Sequence, residues 1–243
     1  MSEKLDHQPE RRSLDSQTSG AGDAIHNPAK PYWEHQYTTR FIQHSEQNGC
    51  IAKDFLSHIG PAENPVFHGL FQQVDSLLEF GCGTGEFLQL IVTKYPSVTR
   101  AVGIDIAEAA IRFAKTNYQH PKIEYRCYDA LSRENGFRDL GGFDLIVSAN
   151  TLEHFKNPYP VIDKMLASAK YCLIIVPYKQ PCTDGYDHEG GAGHVFTFDE
   201  QSCSKYDIIS EFKLITKGWT HSSCGEIPQK WVVLLGNHKE DSR

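Results

Sequence analysis

Glu79, Asp105 and Asp129 lie at or beside the ends of apolar runs, and three alternating glycines, Gly81, Gly83 and Gly85, follow the first of them. Glycine lacks a Cβ and reaches φ > 0 freely, so Gly81-Cys82-Gly83-Thr84-Gly85 reads as a turn where backbone passes close to a ligand. A helix opening directly after it offers unpaired N–H groups to a polar molecule. Asp105 is acceptor-only and can take two hydrogen bonds from the vicinal hydroxyls of a ribose. It also stands three residues ahead of Glu108, where a helix N-cap would sit. Glu79 near the end of a buried strand is costly unless paired. Asp129 has the alternative use of an ordinary turn former. His154, next to Glu153, and His194 titrate near neutral pH and are candidate general bases. Packing or a backbone hydrogen bond is the plainer use of either histidine.

Spacing separates the ligands. A dinucleotide-binding turn wants glycine at its first, third and sixth positions. Here the sixth is Glu86, whose carboxylate sits badly beside a pyrophosphate. A nicotinamide-dependent oxidoreductase is therefore the weaker reading.

The elements that must hold these residues alternate along the chain. Apolar runs predict strands at 76–80, 101–104, 123–127, 143–148 and 171–176, with helices over 86–94, 107–118 and 160–169. This rhythm predicts a parallel sheet with helices on both faces and ligands at the carboxyl ends of its strands. Two further strands, 212–216 and 230–235, have a link too short for a crossover helix and so form an antiparallel return. Residues 34–58 read as one or two helices broken at Asn48-Gly49 and ended by Gly60-Pro61. Thr197-Phe198-Asp199-Glu200 has the pattern of a capping box opening a further helix, which gives Thr197 and Glu200 structural roles.

The run Glu79-Phe80-Gly81-Cys82-Gly83-Thr84-Gly85 resembles motif I of class I S-adenosylmethionine-dependent methyltransferases. Phe143-Asp144-Leu145-Ile146-Val147-Ser148-Ala149-Asn150-Thr151-Leu152-Glu153-His154-Phe155 resembles the fourth-strand motif of their small-molecule members. With Asp105 and Asp129 in order between them, the resemblance covers roughly Leu77 to Phe155. It implies a Rossmann-like α/β fold: seven strands, mostly parallel, with the last antiparallel and helices on both faces. It implies S-adenosylmethionine as cofactor, with Gly81, Gly83 and Gly85 as the close-approach loop. Asp105 would hold the ribose with Ile106 beside it. Asp129 would accept from the adenine amino group, with Ala130 offering a backbone N–H. Glu79 would steady the loop or approach the methionine amino group, and Asn150 completes the cofactor set.

The acceptor is read by elimination. Amino-directed DNA methyltransferases carry N/D-P-P-Y/F after the fourth strand, where this chain has Ala149-Asn150-Thr151-Leu152. Glu153 alone does not reproduce the paired glutamates of protein-arginine methyltransferases. Val176-Pro177-Tyr178-Lys179 and Gly193-His194-Val195-Phe196-Thr197-Phe198-Asp199-Glu200 resemble bacterial methyltransferases of surface-polysaccharide biosynthesis. The expected acceptor is an oxygen, ahead of a nitrogen, of a small molecule or glycan, with His154 and His194 as base candidates. A catalytically silent S-adenosylmethionine-binding scaffold or sensor is the alternative. No metal is expected, since Asp187, His188, Glu189 and His194 follow no established ligand spacing.

The 243 residues allow one α/β domain, and 40% hydrophobic with 23% charged residues is ordinary for a globular protein. A net charge of -7 argues against nucleic-acid partners and anionic membranes. Seven cysteines without a C-x-x-C pair, no secretory pattern and no bilayer-length apolar run predict a cytoplasmic setting and no membrane insertion. Residues 1–30 are polar and expected to be disordered, and 31–243 to form a single methyltransferase domain. Within it, 31–60 reads as a helical lid bearing Tyr32, Trp33 and Tyr37, whose duller use is to anchor the first helix. Residues 177–198 read as a substrate-side loop, where Tyr178 and Lys179 are within a substrate's reach.

Overall fold

Adjacent leucines in the first strand point to opposite sides of the sheet, and both are fully buried. Leu77 belongs to a core cluster with Phe55, Phe71, Leu88 and Ile91, while Leu78 belongs to a second one with Ile104, Phe137, Ile162 and Met165. Alternation with period two gives each strand two buried faces, which is why the strands read as unbroken apolar runs. The structure, a computed structural model, describes residues 30–43, 50–182, 193–215 and 229–237.

Seven strands, β1 (Ser76–Phe80), β2 (Arg100–Asp105), β3 (Ile123–Cys127), β4 (Phe143–Ala149), β5 (Ala169–Pro177), β6 (Ile208–Ile215) and β7 (Gln229–Gly236), form one sheet. Their order is β3-β2-β1-β4-β5-β7-β6. β1 to β5 run parallel, and β7 is antiparallel to both neighbours. The order reverses between β1 and β4, which opens a crevice at their carboxyl ends. The helices are α1 (Lys30–Gln36), α2 (Cys50–Ser57), α3 (Pro65–Gln73), α4 (Glu86–Lys94), α5 (Glu108–Asn117) and α6 (Tyr159–Leu166). A π-turn, Tyr37–Phe41, continues α1.

Three features depart from the sequence expectation. Helix α3 fills the stretch between Gly60-Pro61 and β1, where no element was predicted. Pro65 occupies its first turn and Phe67, Leu70 and Phe71 bury one face, a short pattern of helical spacing. The capping box at Thr197 opens no helix: residues 200–205 form successive turns. The Thr197 hydroxyl donates to the Gln180 carbonyl at 2.9 Å, and Asp199 instead accepts from the N–H groups of Gln201 and Ser202. Strand β6 begins at Ile208, four residues before its predicted start. The predicted tail 1–29, the Asn48-Gly49 break, Thr216 and loop residues 183–192 lie outside the described residues.

Candidate cofactor and acceptor site

The glycine turn is pinned to β2. Gly81 and Cys82 both donate to the Ile104 carbonyl at 2.9 Å, and Gly85 donates to Cys82 at 2.9 Å. Gly81, Gly83 and Gly85 have φ of 74°, 51° and 86°, so the turn demands residues that tolerate the left-handed region. Close approach matters as well as φ. A Cβ on Gly81 would collide with Thr151, and one on Gly83 would lie 2.6 Å from the Tyr37 hydroxyl. The turn is thus packed from the end of β4 on one side and from the N-terminal π-turn on the other.

Asp105, at the end of β2, ties this turn to the next. Its Oδ2 accepts from the Gly83 N–H at 3.0 Å and its Oδ1 from the Ala107 N–H at 2.8 Å. The amide of Ala109, inside the first turn of α5, is taken by Glu34 of α1 at 3.2 Å. Glu34 joins residues 75 positions apart and has no local sequence signal.

Glu79 is 2% exposed. It accepts from the Leu88 N–H, while its Oε2 has no hydrogen-bond partner among the described residues. Burial, with the nearby Asp105 charge, pushes its pKa well above the usual carboxylate range. Burial likewise lifts Asp105 to about 6, against the lowering effect of the Ala107 and Gly83 amides. Among the described residues no lysine or arginine forms an ion pair with either acid. Two buried carboxylates, one with an open oxygen, suit a ligand that brings positive charge and hydroxyl donors together. S-adenosylmethionine has a sulfonium, an ammonium and a ribose diol, so the donor set fits it. Glu86 faces away from this role, with its carboxylate 3.1 Å from Lys53 of α2.

The remaining predicted cofactor residues lie just beyond the carboxyl ends of β2, β3 and β4. Asp129 makes a turn, its Oδ1 accepting from Leu131 at 3.0 Å and Ser132 at 3.3 Å, and Ala130 beside it is buried. The Ile106 carbonyl accepts the Cys127 thiol at 3.6 Å. Asn150 directly follows β4 with φ of 51°, and its buried Oδ1 has no hydrogen-bond partner among the described residues.

Just beyond Asn150, a short 3-10 turn, Leu152–His154, brings the two candidate bases together. His154 and His194 stack edge-to-face with ring centroids 5.1 Å apart. The His154 Nδ1 lies 3.0 Å from the Gly193 carbonyl, and Val195 and Phe196 donate to the Glu153 carbonyl at 2.9 and 3.1 Å. Trp33 of α1 covers His154 at 4.6 Å. Glu153, 1% exposed, has Oε1 at 3.8 Å from His194 Nε2. Its pKa is raised by burial and opposed by the charge of Lys230, itself buried on β7. Burial drives His154 down to about 4, so it is neutral across the physiological range. Glu153 was weighed in the sequence only beside His154, and Lys230 was missed because the contact spans most of the chain.

Tyr178 and Lys179 do not join this cluster. The Tyr178 hydroxyl bonds Glu200, Lys179 pairs with Glu200 at 3.0 Å, and Lys213 bridges both at 2.8 and 3.1 Å.

Comparison with known proteins bears on this geometry. Residues 78–170 match the family model described as a methyltransferase domain. Malonyl-[acyl-carrier protein] O-methyltransferase of Acetivibrio thermocellus is 29% identical over 94 residues, covering 39% of this chain and 31% of the relative. The enzyme of the same name from Priestia megaterium is 28% identical over 133 residues, covering 54% and 46%. The chain therefore spans less than half the length of these curated relatives. A SAM-dependent methyltransferase from Anabaena variabilis shares the fold, with a TM-score of 0.60 at 14% identity over 90% of this chain and 99% of that one. The sheet order and the strand-end acids define a Rossmann-like cofactor-binding domain. The match over 78–170 makes this stretch similar to a methyltransferase domain, and the fold it sits in is shared with the Anabaena variabilis structure.

Proposed function

We propose that the chain transfers a methyl group from S-adenosylmethionine to an oxygen of a small molecule or glycan precursor. The acceptor oxygen attacks the methyl carbon, the carbon–sulfur bond breaks with its electron pair returning to sulfur, and S-adenosylhomocysteine leaves. A hydroxyl acceptor gives up its proton to the Glu153–His154–His194 cluster. That cluster carries the reading: three proton-binding groups meet directly beyond the strand that touches the glycine turn through Thr151. Nitrogen stands second, because both curated relatives are named as O-methyltransferases.

Asp105 holds the ribose, Asp129 and Ala130 the adenine, and Glu79 the amino group, with Ile106 and Asn150 lining the site. Trp33 and Tyr37 belong to a lid over the cofactor, and 177–198 to the acceptor side. No helix among the described residues is long and apolar enough to cross a membrane. The cysteines at 82, 127, 172, 182 and 203 are free, which suits a reducing compartment such as the cytoplasm. The test is incubation with methyl-labelled S-adenosylmethionine and a fractionated small-molecule and nucleotide-sugar extract. Label in one oxygen of one acceptor supports the reading. Tight cofactor binding with no labelled product overturns it in favour of a silent scaffold.

A further inference from the structure

We infer that Glu153, His154 and His194 form a binding site for a divalent first-row transition metal on the acceptor side of the cofactor. The inference needs the methyl-transfer reading only for the role of the metal, not for its binding. One ligand atom from each of the three residues can be chosen so that all lie within 4.8 Å of one another. Around a metal with bonds of about 2.1 Å, neighbouring ligands stand roughly 3 to 3.5 Å apart. The observed 3.8 Å between Glu153 Oε1 and His194 Nε2 therefore needs only side-chain adjustment to close.

Two independent observations point to a cation at this place. Glu153 is 1% exposed, and neither of its carboxylate oxygens has a hydrogen-bond partner among the described residues. Buried carboxylate oxygens left in that state are expensive unless something else occupies their lone pairs. The second is the orientation of His154. Its Nδ1 faces the Gly193 carbonyl at 3.0 Å, a backbone contact of the kind that orients a ligating imidazole. The same clip orders residue 193 directly beside His194, so one backbone contact positions two ligands.

Two imidazoles with one carboxylate suit manganese, iron or zinc better than magnesium or calcium, which favour oxygen-only shells. Three protein ligands leave coordination positions open for an acceptor oxygen. A metal there would polarise that oxygen and lower the pKa of a bound hydroxyl, replacing a free general base. Lys230 opposes the metal, because its charge already acts on Glu153. A bound dication and a charged Lys230 compete for one carboxylate, which makes a directional test available. From the sequence no metal is expected on the spacing of Asp187, His188, Glu189 and His194, and Glu153 and His154 are not weighed there as ligands.

The full chain is stripped with a chelator and titrated with Mn2+ alone and with Zn2+ alone, without cofactor or acceptor, by calorimetry and manganese spin resonance. One equivalent of at least one metal is expected to bind. His194→Gln and Glu153→Gln should each weaken it by roughly 100-fold or more, beyond the loss typical of an outer-shell partner. Lys230→Met should tighten it. S-adenosylmethionine affinity, measured on the same variants, should stay unchanged and reports that they fold. Should Glu153→Gln fail to fold, the partly exposed His194→Gln decides alone. Absence of saturable binding of either metal, or equal binding by wild type and His194→Gln, overturns the site. Metal bound without methyl transfer would sink the functional proposal and leave this one standing. Full methyl transfer by metal-free protein that binds neither metal would do the reverse.

Discussion

The Asp105 carboxylate accepts from the Gly83 amide at 3.0 Å, so the residue that ends β2 also holds the turn that ends β1. Its second oxygen takes the Ala107 amide. The shape of both loops is therefore set by one side chain, the same one proposed above to hold the ribose.

Replacing Asp105 should separate binding from stability. Its folded pKa, about 6, exceeds the unsubstituted value, so the folded protein binds this proton more tightly than the unfolded chain. The resulting stabilisation is full below about pH 4. It is lost as pH rises through about 6. Asp105→Asn should therefore be more stable than wild type at pH 7.5, by up to about 3 kcal/mol, and show little advantage at pH 4. The same variant should bind S-adenosylmethionine roughly 10- to 100-fold more weakly by calorimetry, which is about 1.4 to 2.8 kcal/mol. A variant with wild-type affinity would remove Asp105 from the cofactor site.

Gly83→Ala should be strained twice, by its φ of 51° and by the Tyr37 hydroxyl that its Cβ would meet. A loss of about 1 to 3 kcal/mol in stability is expected. Adding Tyr37→Phe, which removes only the colliding oxygen, should recover part of it in denaturant titration. No recovery would show that φ alone matters.

Glu79→Gln keeps the shape and removes a buried ionisable group whose Oε2 has no hydrogen-bond partner among the described residues. The free protein should become more stable at neutral pH, while affinity for S-adenosylmethionine falls. Parallel melting with S-adenosylhomocysteine and with sinefungin, which both keep the amino group, should show the same fall. Unchanged binding of all three would confine Glu79 to supporting α4 through the Leu88 amide.

Trp33→Ala removes the ring that covers His154 at 4.6 Å. As part of the proposed lid over the cofactor, its loss should lower turnover and raise the cofactor Kd by more than about threefold. Reduced turnover with an unchanged Kd would instead confine the ring to the proposed acceptor side.

Local chemistry was legible in the sequence and long-range contact was not. β1, β3 and α4 have the bounds that their apolar runs and the glycine turn predict. The antiparallel return was readable from its short link, but not that β7 lies between β5 and β6, because pairing order is set by packing. Thr197 shows how a local rule loses: its hydroxyl reaches a carbonyl 17 residues back and no longer caps anything. In the candidate site, the glycines and strand-end acids announce themselves by spacing. Glu34 and Lys230 carry no such mark, since each is defined by a partner far along the chain.

The placement of β7 has a bearing on the order in which the molecule becomes competent. Strands β1 to β3, with the helices between them, supply the glycine turn, Asp105 and Asp129 from about fifty consecutive residues. Glu153 faces a lysine that arrives only with residue 230, on a strand inserted between two already synthesised neighbours. During synthesis the half proposed to hold the nucleoside can thus assemble while the proposed reactive half waits for β7. A nascent chain stalled before that strand would hold the glycine turn and Asp105 without Lys230 beside Glu153, a built-in delay between the two proposed steps of recognition and reaction.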